Sequence, residues 1–231
     1  MAVLYQNIKE GLFLRRPNRF IAYVEIDGRE EVCHVKNTGR CKELLIPQES
    51  KVYVEDHGTD TKRKTRYSLV QVVKGNTLIN MDSQAPNKAG YQWVEQGKLY
   101  KNVTFLKAEK QFGDSRFDLY VEGDGKKAFV EIKGVTLEKD GVAMFPDAPT
   151  ERGVKHIREL CHCIEEGYEA YLLFVIQMKG VTEFRPNIET HPEFRDALIE
   201  AEQKGVHILA YDCNVEIGSM EIAEPVQVCL E

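Results

Sequence analysis

The sequence predicts an α+β chain of two domains, a β-barrel over residues 1–82 and an α/β domain with a mixed central sheet over 83–231. Three observations predict it. Short alternating strands separated by turn residues fill residues 11–80. Residues 81–100 then break that alternation with Pro86 and Gly90. From residue 103 onward, strands are interleaved with two amphipathic helices.

In the first domain, GLFLRR (11–16) reads as a short strand up to the turn pair Pro17-Asn18. FIAYVEI and REEVCHV follow on either side of Asp27-Gly28, a dipeptide suited to a tight hairpin. After Asn37-Thr38-Gly39, the string GRCKELLIP predicts a short helical piece stopped by Pro47, and strands resume at KVYVE, RYSLVQVV and TLIN. Three strands, a helix and two or three more strands is the order of an OB-type barrel, a fold that commonly binds single-stranded nucleic acid or oligosaccharide. An SH3-like barrel has much the same strand count.

Residues 81–100 predict a connector and a short helix. VTFLKAEKQF, RFDLYVEG and KKAFVEIKGVTL then form three closely joined strands, the last two linked through Gly123-Asp124-Gly125. A loop with Pro146 and Pro149 leads to a helix capped by Thr150, in which Val154, Ile157, Cys161 and Ile164 recur at helical spacing up to Gly167. YLLFVIQM is a continuous apolar run suited to a strand buried on both faces. HPEFRDALIEAEQKG predicts a second helix and VHILAYDCNVE a last strand.

Composition narrows the function classes. No uncharged apolar stretch approaches the roughly 20 residues of a membrane span, so no membrane partner is expected and the expected location is cytoplasmic. Six cysteines without a CxxC pair predict reduced, mostly packing thiols. Cys161-His162-Cys163 does not read as a zinc site, because three consecutive helical residues point in different directions. The net charge of -6 argues against a nucleic-acid partner, but it is unevenly placed. Residues 1–82 carry 14 Lys and Arg against 11 Asp and Glu, while 83–231 carry 17 against 26. An acidic half can handle phosphate when its carboxylates hold a divalent cation.

Candidate chemistry lies in RFDLYVEGDGKKAFVEIKG (116–134). Alternation sets Val130 and Ile132 on one face of the strand and Glu131 and Lys133 on the other. Asp118 on the paired strand can face the same patch, which the apolar flanks place at the rim of a packed sheet. A bare E-x-K triplet on a strand is most often a solvated cross-strand pair. An Asp one tight hairpin earlier, within a three-strand, helix, strand core, is instead the spacing that lets two carboxylates share a cation.

This constellation resembles the PD-(D/E)xK nuclease superfamily over roughly residues 85–231, with Asp118, Glu131 and Lys133 at its motif positions and Phe117 where the literal motif has proline. The resemblance implies a restriction-endonuclease-like α/β domain. It also implies Asp118 and Glu131 as ligands of Mg2+ or Mn2+, Lys133 as the residue that orients or helps deprotonate water, and phosphodiester hydrolysis as the reaction. HVKNTGRCKELL (34–45), GDSRFD (113–118) and FPDAPTERGVKHIREL (145–160) are together similar to the sugar fermentation stimulation protein A (SfsA) family along nearly the whole chain. That similarity implies an OB-fold followed by a nuclease-like domain, DNA binding without strong sequence preference, and a link to sugar utilisation. RNA stays open as a partner, as do a non-catalytic DNA-binding regulator on a retained nuclease scaffold and an oligosaccharide-binding barrel. The oligomeric state has no readable signal.

Further nucleic-acid contacts are expected at Arg116, which shares the face of Asp118, and at Arg152, Lys155 and His156, a polar stripe in the first turns after Thr150. In the barrel they are expected at Asn37, Gly39 and Arg40, and at Lys62, Arg63 and Lys64 beside Tyr67, where charge and stacking would suit a single strand.

Overall fold

The structure is a computed structural model that describes residues 2–37, 39, 41–59 and 63–231. Its chain starts with β1 (Val3–Leu4), β2 (Ile8–Asn18), β3 (Ile21–Ile26), β4 (Arg29–Val35), β5 (Lys51–Asp56), β6 (Tyr67–Lys74) and β7 (Thr77–Asn80). β2 pairs antiparallel with β3 and β5, β3 with β4, and β5 with β6. A parallel pairing of β4 with β6 closes the barrel. That closure is the OB topology and removes the SH3-like alternative. Asp27 (φ 51°) and Gly28 (φ 74°) both take the left-handed conformation a two-residue hairpin turn needs. Gly11 lets β2 cross β3 closely, since a Cβ there would lie 2.5 Å from Val24 Cγ1 and 2.7 Å from the Glu25 carbonyl.

The helix expected before Pro47 does not form. Residues 42–49 make turns instead, in which the Leu44 and Leu45 N–H groups donate to the Cys41 carbonyl. Positive φ at Cys41 (47°) and Gln48 (62°) breaks the helical path at both ends, and the Ser50 hydroxyl takes the Ile46 N–H and the Leu44 carbonyl.

The second half contains α1 (Ala85–Glu95), β8 (Val103–Phe112), β9 (Ser115–Gly123), β10 (Lys126–Val135), β11 (Leu137–Lys139), β12 (Val142–Phe145), α2 (Glu151–Glu165), β13 (Glu169–Ile176), β14 (Glu183–Pro186), α3 (Pro192–Gln203), β15 (His207–Glu216), β16 (Ser219–Pro225) and β17 (Gln227–Val228). Its main sheet has the order β1-β16-β15-β13-β10-β9-β8 and is mixed, with β13 parallel to both β10 and β15. α1 packs on one face, where Ala85, Ala89 and Trp93 meet Leu119, Val130 and Ile132. α2 and α3 cover the other, where Val154, Ile157 and Phe194 join Phe117, Phe129 and Phe174. The Thr150 hydroxyl accepts from the Gly153 N–H at 3.0 Å, the cap expected there.

Besides the missing helix, the structure differs from the sequence reading in two places. β11, β12, β14 and β17 form a second small sheet inside segments expected to be loop. β16 follows the strand expected to be last, and β1 pairs with it, so residues 3–4 complete the sheet of the other half. A buried polar network also ties the halves together. Gln177 Nε2 donates to Asn80 and to the Asp82 carbonyl, Lys36 Nζ lies 3.2 Å from Asp82 Oδ2, and the Tyr5 hydroxyl reaches both Asn80 and Asp82.

Candidate functional site

The β9–β10 ladder runs from Gly123↔Lys126 to Leu119↔Val130 and stops there. Beyond that point β10 continues along β13 and β9 along β8, so the two strands part company. Asp118 and Glu131 are the residues that would form the next cross-strand pair. Asp118 instead turns one oxygen, Oδ2, to the N–H of Ile132 at 2.7 Å, and receives the Asn87 side-chain amide of α1 on Oδ1 at 2.7 Å.

Glu131 lies on a central strand and is 3% exposed, so it sits inside the packed sheet and not at its rim, where the apolar flanks had placed it. Its Oε1 accepts from Lys133 Nζ at 2.5 Å and from His156 Nδ1 at 2.5 Å. Arg152 Nε donates to His156 Nε2 at 3.3 Å. An arginine can only donate, so His156 Nε2 is the acceptor and Nδ1 carries the proton offered to Glu131. Both donors converge on Oε1, and the buried Oε2 has no hydrogen-bond partner among the described residues.

The two carboxyl groups are held in opposite electrostatic states. Burial, then the charge of Glu131, push the Asp118 pKa up to about 6 against the stabilising Ile132 N–H, Lys133 and Asn87. Burial also opposes ionisation of Glu131, but the hydrogen bond from His156 and the charge of Lys133 outweigh it and hold that pKa below the usual carboxylate range. Two carboxyl groups that repel one another, one with an unpartnered buried oxygen, form a donor set that fits a hard divalent cation. Among the described residues no group of three or more His, Cys, Asp or Glu side chains converges on one point, so protein ligands alone would not fill the coordination sphere.

The expected contact residues divide by where the structure puts them. His156 does not belong to a solvated stripe: it is 7% exposed and points into the sheet, with its ring edge against Phe117. Arg152 is committed to His156, and Lys155 is exposed on the outer face of α2. Arg116 is exposed and sits 3.6 Å from Glu109. Asn37 caps its own turn, accepting from the Gly39 N–H and donating to the Met81 carbonyl. Gly39 packs against the loop after β12, where a Cβ would lie 2.4 Å from Asp147 Oδ2. A cavity of about 170 Å³ lies there, between Gly39, Gly134, Phe145 and Gln177. Arg40 and Lys62 lie outside the described residues. Arg63 donates to the Ser68 hydroxyl and Lys64 is exposed, but Tyr67 is 3% exposed and cannot serve as the stacking surface expected beside them. Arg66, which pairs with Asp56 through two bonds, covers the Tyr67 ring.

Sequence reasoning missed Asn87, Tyr91 and Gln92 of α1, which line a groove ending at Asp118. The one available signal was the four-residue spacing of Asn87 and Tyr91, which puts both on the same side of the helix. In the Cys-His-Cys string, Cys161 and Cys163 are buried while His162 is exposed and bonded to Glu165.

Comparison with known proteins covers the whole architecture. Residues 14–81 match the family model described as SfsA N-terminal OB domain, and residues 84–219 match the sugar fermentation stimulation protein RE domain. The chain is 59% identical over 226 residues to a sugar fermentation stimulation protein homolog of Clostridium beijerinckii, covering 98% of this chain and 99% of the relative. A homolog from Ruminiclostridium cellulolyticum is 58% identical with the same coverage. The solved structure of Pyrococcus furiosus SfsA in complex with Ca2+ superposes with a TM-score of 0.89 at 30% identity, covering 99% of each chain. With its barrel, its mixed central sheet and these full-length matches in agreement, the chain belongs to the sugar fermentation stimulation protein, SfsA, family.

Proposed function

We propose that the chain binds nucleic acid, DNA in the first instance, with little sequence preference, and hydrolyses phosphodiester bonds with a divalent cation, Mg2+ or Mn2+, held by Asp118 and Glu131. The observation that carries this reading is the bare, buried Oε2 of Glu131 beside the strained Asp118 carboxyl group. A carboxylate placed only for structure would have both oxygens satisfied. The Ca2+ in the Pyrococcus relative supports a hard cation at this fold.

When bound, the ion supplies the positive charge that phosphate oxygens require in an acidic domain and acidifies water. The chain's own residues do the rest. Asp118 is aimed by Asn87 and the Ile132 N–H, and Glu131 is aimed by His156 and Lys133. Arg152 and His156 therefore act as positioning residues. Lys133 keeps a charged ammonium beside Glu131, where it can orient the attacking water. Lys155 and Arg116, exposed on either side, are left for the phosphate backbone.

The test is incubation of wild type and Lys133→Ala with labelled DNA and RNA in Mg2+, Mn2+ or EDTA, scored for binding and cutting. Cutting that needs metal and Lys133 supports the enzyme. Binding without cutting in every condition supports the second reading, a DNA-binding regulator linked to sugar metabolism, which the lack of a third converging ligand among the described residues favours. Binding that is flat with salt would favour an oligosaccharide instead, because phosphate contacts weaken steeply with ionic strength.

A further inference from the structure

Between α1 and the β8–β9 edge runs a groove of about 400 Å³ that ends at Asp118. Its walls are apolar where Tyr91, Ala108 and Leu119 line it, amide-bearing where Asn87 and Gln92 do, and charged at Lys88 and Glu109. Asn87 couples this wall directly to the site, since its amide is bonded to Asp118. Gln92 adds a second observation: its Oε1 is buried and has no hydrogen-bond partner among the described residues. An unsatisfied buried acceptor is unfavourable, and leucine at the same place would close the helix against the sheet without it.

Apolar walls with amides along one side suit a flat ring with a hydrogen-bonding edge. We infer that the groove is a nucleobase subsite, which takes the base of the nucleotide next to the phosphate at Asp118 and Glu131. This rests on the phosphodiester reading and makes it narrower. A base inside a duplex has its faces stacked and its edge paired, so a nucleotide that lays its base between α1 and the β8–β9 edge must be unpaired. The substrate class is then a single strand, or a duplex end or distortion that opens at this nucleotide. The exposed Glu109 at the groove lies 3.6 Å from Arg116, which offsets its repulsion of the strand.

The experiment measures binding of a labelled single-stranded oligonucleotide of mixed sequence and of the same sequence as a blunt duplex, both with saturating Ca2+. It uses wild type, Ala108→Trp, which fills the groove from an exposed strand position, and Gln92→Leu, which removes the unpartnered acceptor. Calorimetric Ca2+ affinity and melting temperature are measured on each variant. The expected result is a single-strand preference of about tenfold in wild type that Ala108→Trp loses while keeping its Ca2+ affinity. Gln92→Leu should melt no lower than wild type and still bind the single strand more weakly. Equal wild-type affinity for both forms overturns the subsite, as does a preference unchanged in both folded variants. If wild type binds neither form, the phosphodiester reading itself falls, and the subsite with it.

Discussion

Asp82 and Glu131 are both buried carboxylates paired with a lysine, yet they are treated in opposite ways. At Asp82, in the joint between the two halves, Oδ1 accepts from the Gln84 N–H, and Oδ2 faces Lys36 at 3.2 Å and the Tyr5 hydroxyl at 3.4 Å. Every oxygen is used. At Glu131, two strong donors crowd onto Oε1 and Oε2 is left bare. Burial of a charge is tolerable only when its partners are complete, so Asp82 reads as architecture and Glu131 as a group waiting for a ligand. Tyr5 belongs to the same joint: it is kept protonated by its own burial and then by Asp82, as a structural phenol should be.

The comparison predicts different failures. Asp82→Ala should have the largest effect, because it strands Lys36 in a buried joint. A loss of about 3–5 kcal/mol is expected, seen as a lower denaturation midpoint that added cation does not restore. Glu131→Gln should change stability in EDTA by only about 1 kcal/mol, but should lose the stabilisation by cation, which in wild type reaches about 2.7 kcal/mol at 100 times Kd. Melting curves with and without Ca2+ measure both numbers. If Asp82→Ala behaved like Glu131→Gln, the distinction between the two carboxylates would be wrong.

His156→Gln should weaken cation binding about tenfold, as loss of a residue that orients a ligand commonly does. DNA binding in EDTA should not change, because His156 is turned inward; weakened DNA binding there would return it to the role of a phosphate contact. The smallest effect is in pH dependence. Asp118 has a folded pKa near 6, above its value in an unfolded chain, so its burial is tolerated while it is protonated and becomes destabilising as pH rises from about 4 to 6. In EDTA, wild type should therefore lose stability across that interval relative to Asp118→Asn. Glu131, with its depressed pKa, contributes in the opposite sense: its stabilisation is present above the ordinary carboxylate pKa and fades as pH falls below it. Matching stability profiles for wild type and Asp118→Asn between pH 4 and 6 would show that Asp118 is not strained.

Much of this was legible in the residues. Alternation and the Asp27-Gly28 turn located the barrel strands, the Thr150 cap located α2, and the hairpin spacing brought Asp118, Glu131 and Lys133 together at the end of the β9–β10 ladder. What was not legible has physical causes. β11, β12, β14 and β17 are two to four residues long, too short for a two-residue period to register. His156 follows Lys155 and lies two residues before Arg158, and a polar residue turned inward cannot be told from one turned outward without its buried partner. Tyr67 looked available for stacking because a sequence does not show that barrel closure buries it. Asn87 and Gln92 come from a helix about 30 residues before Asp118, and only tertiary folding brings them to it.

The most direct test of the central claim is calorimetric titration of Ca2+ and Mn2+ into the nucleic-acid-free protein, with Glu131→Gln and Asp118→Asn alongside. Saturable binding of one ion per chain in wild type, lost in Glu131→Gln and weakened in Asp118→Asn, is the result this account predicts. Binding that survives intact in both variants, or a wild type that takes up no cation, would contradict it.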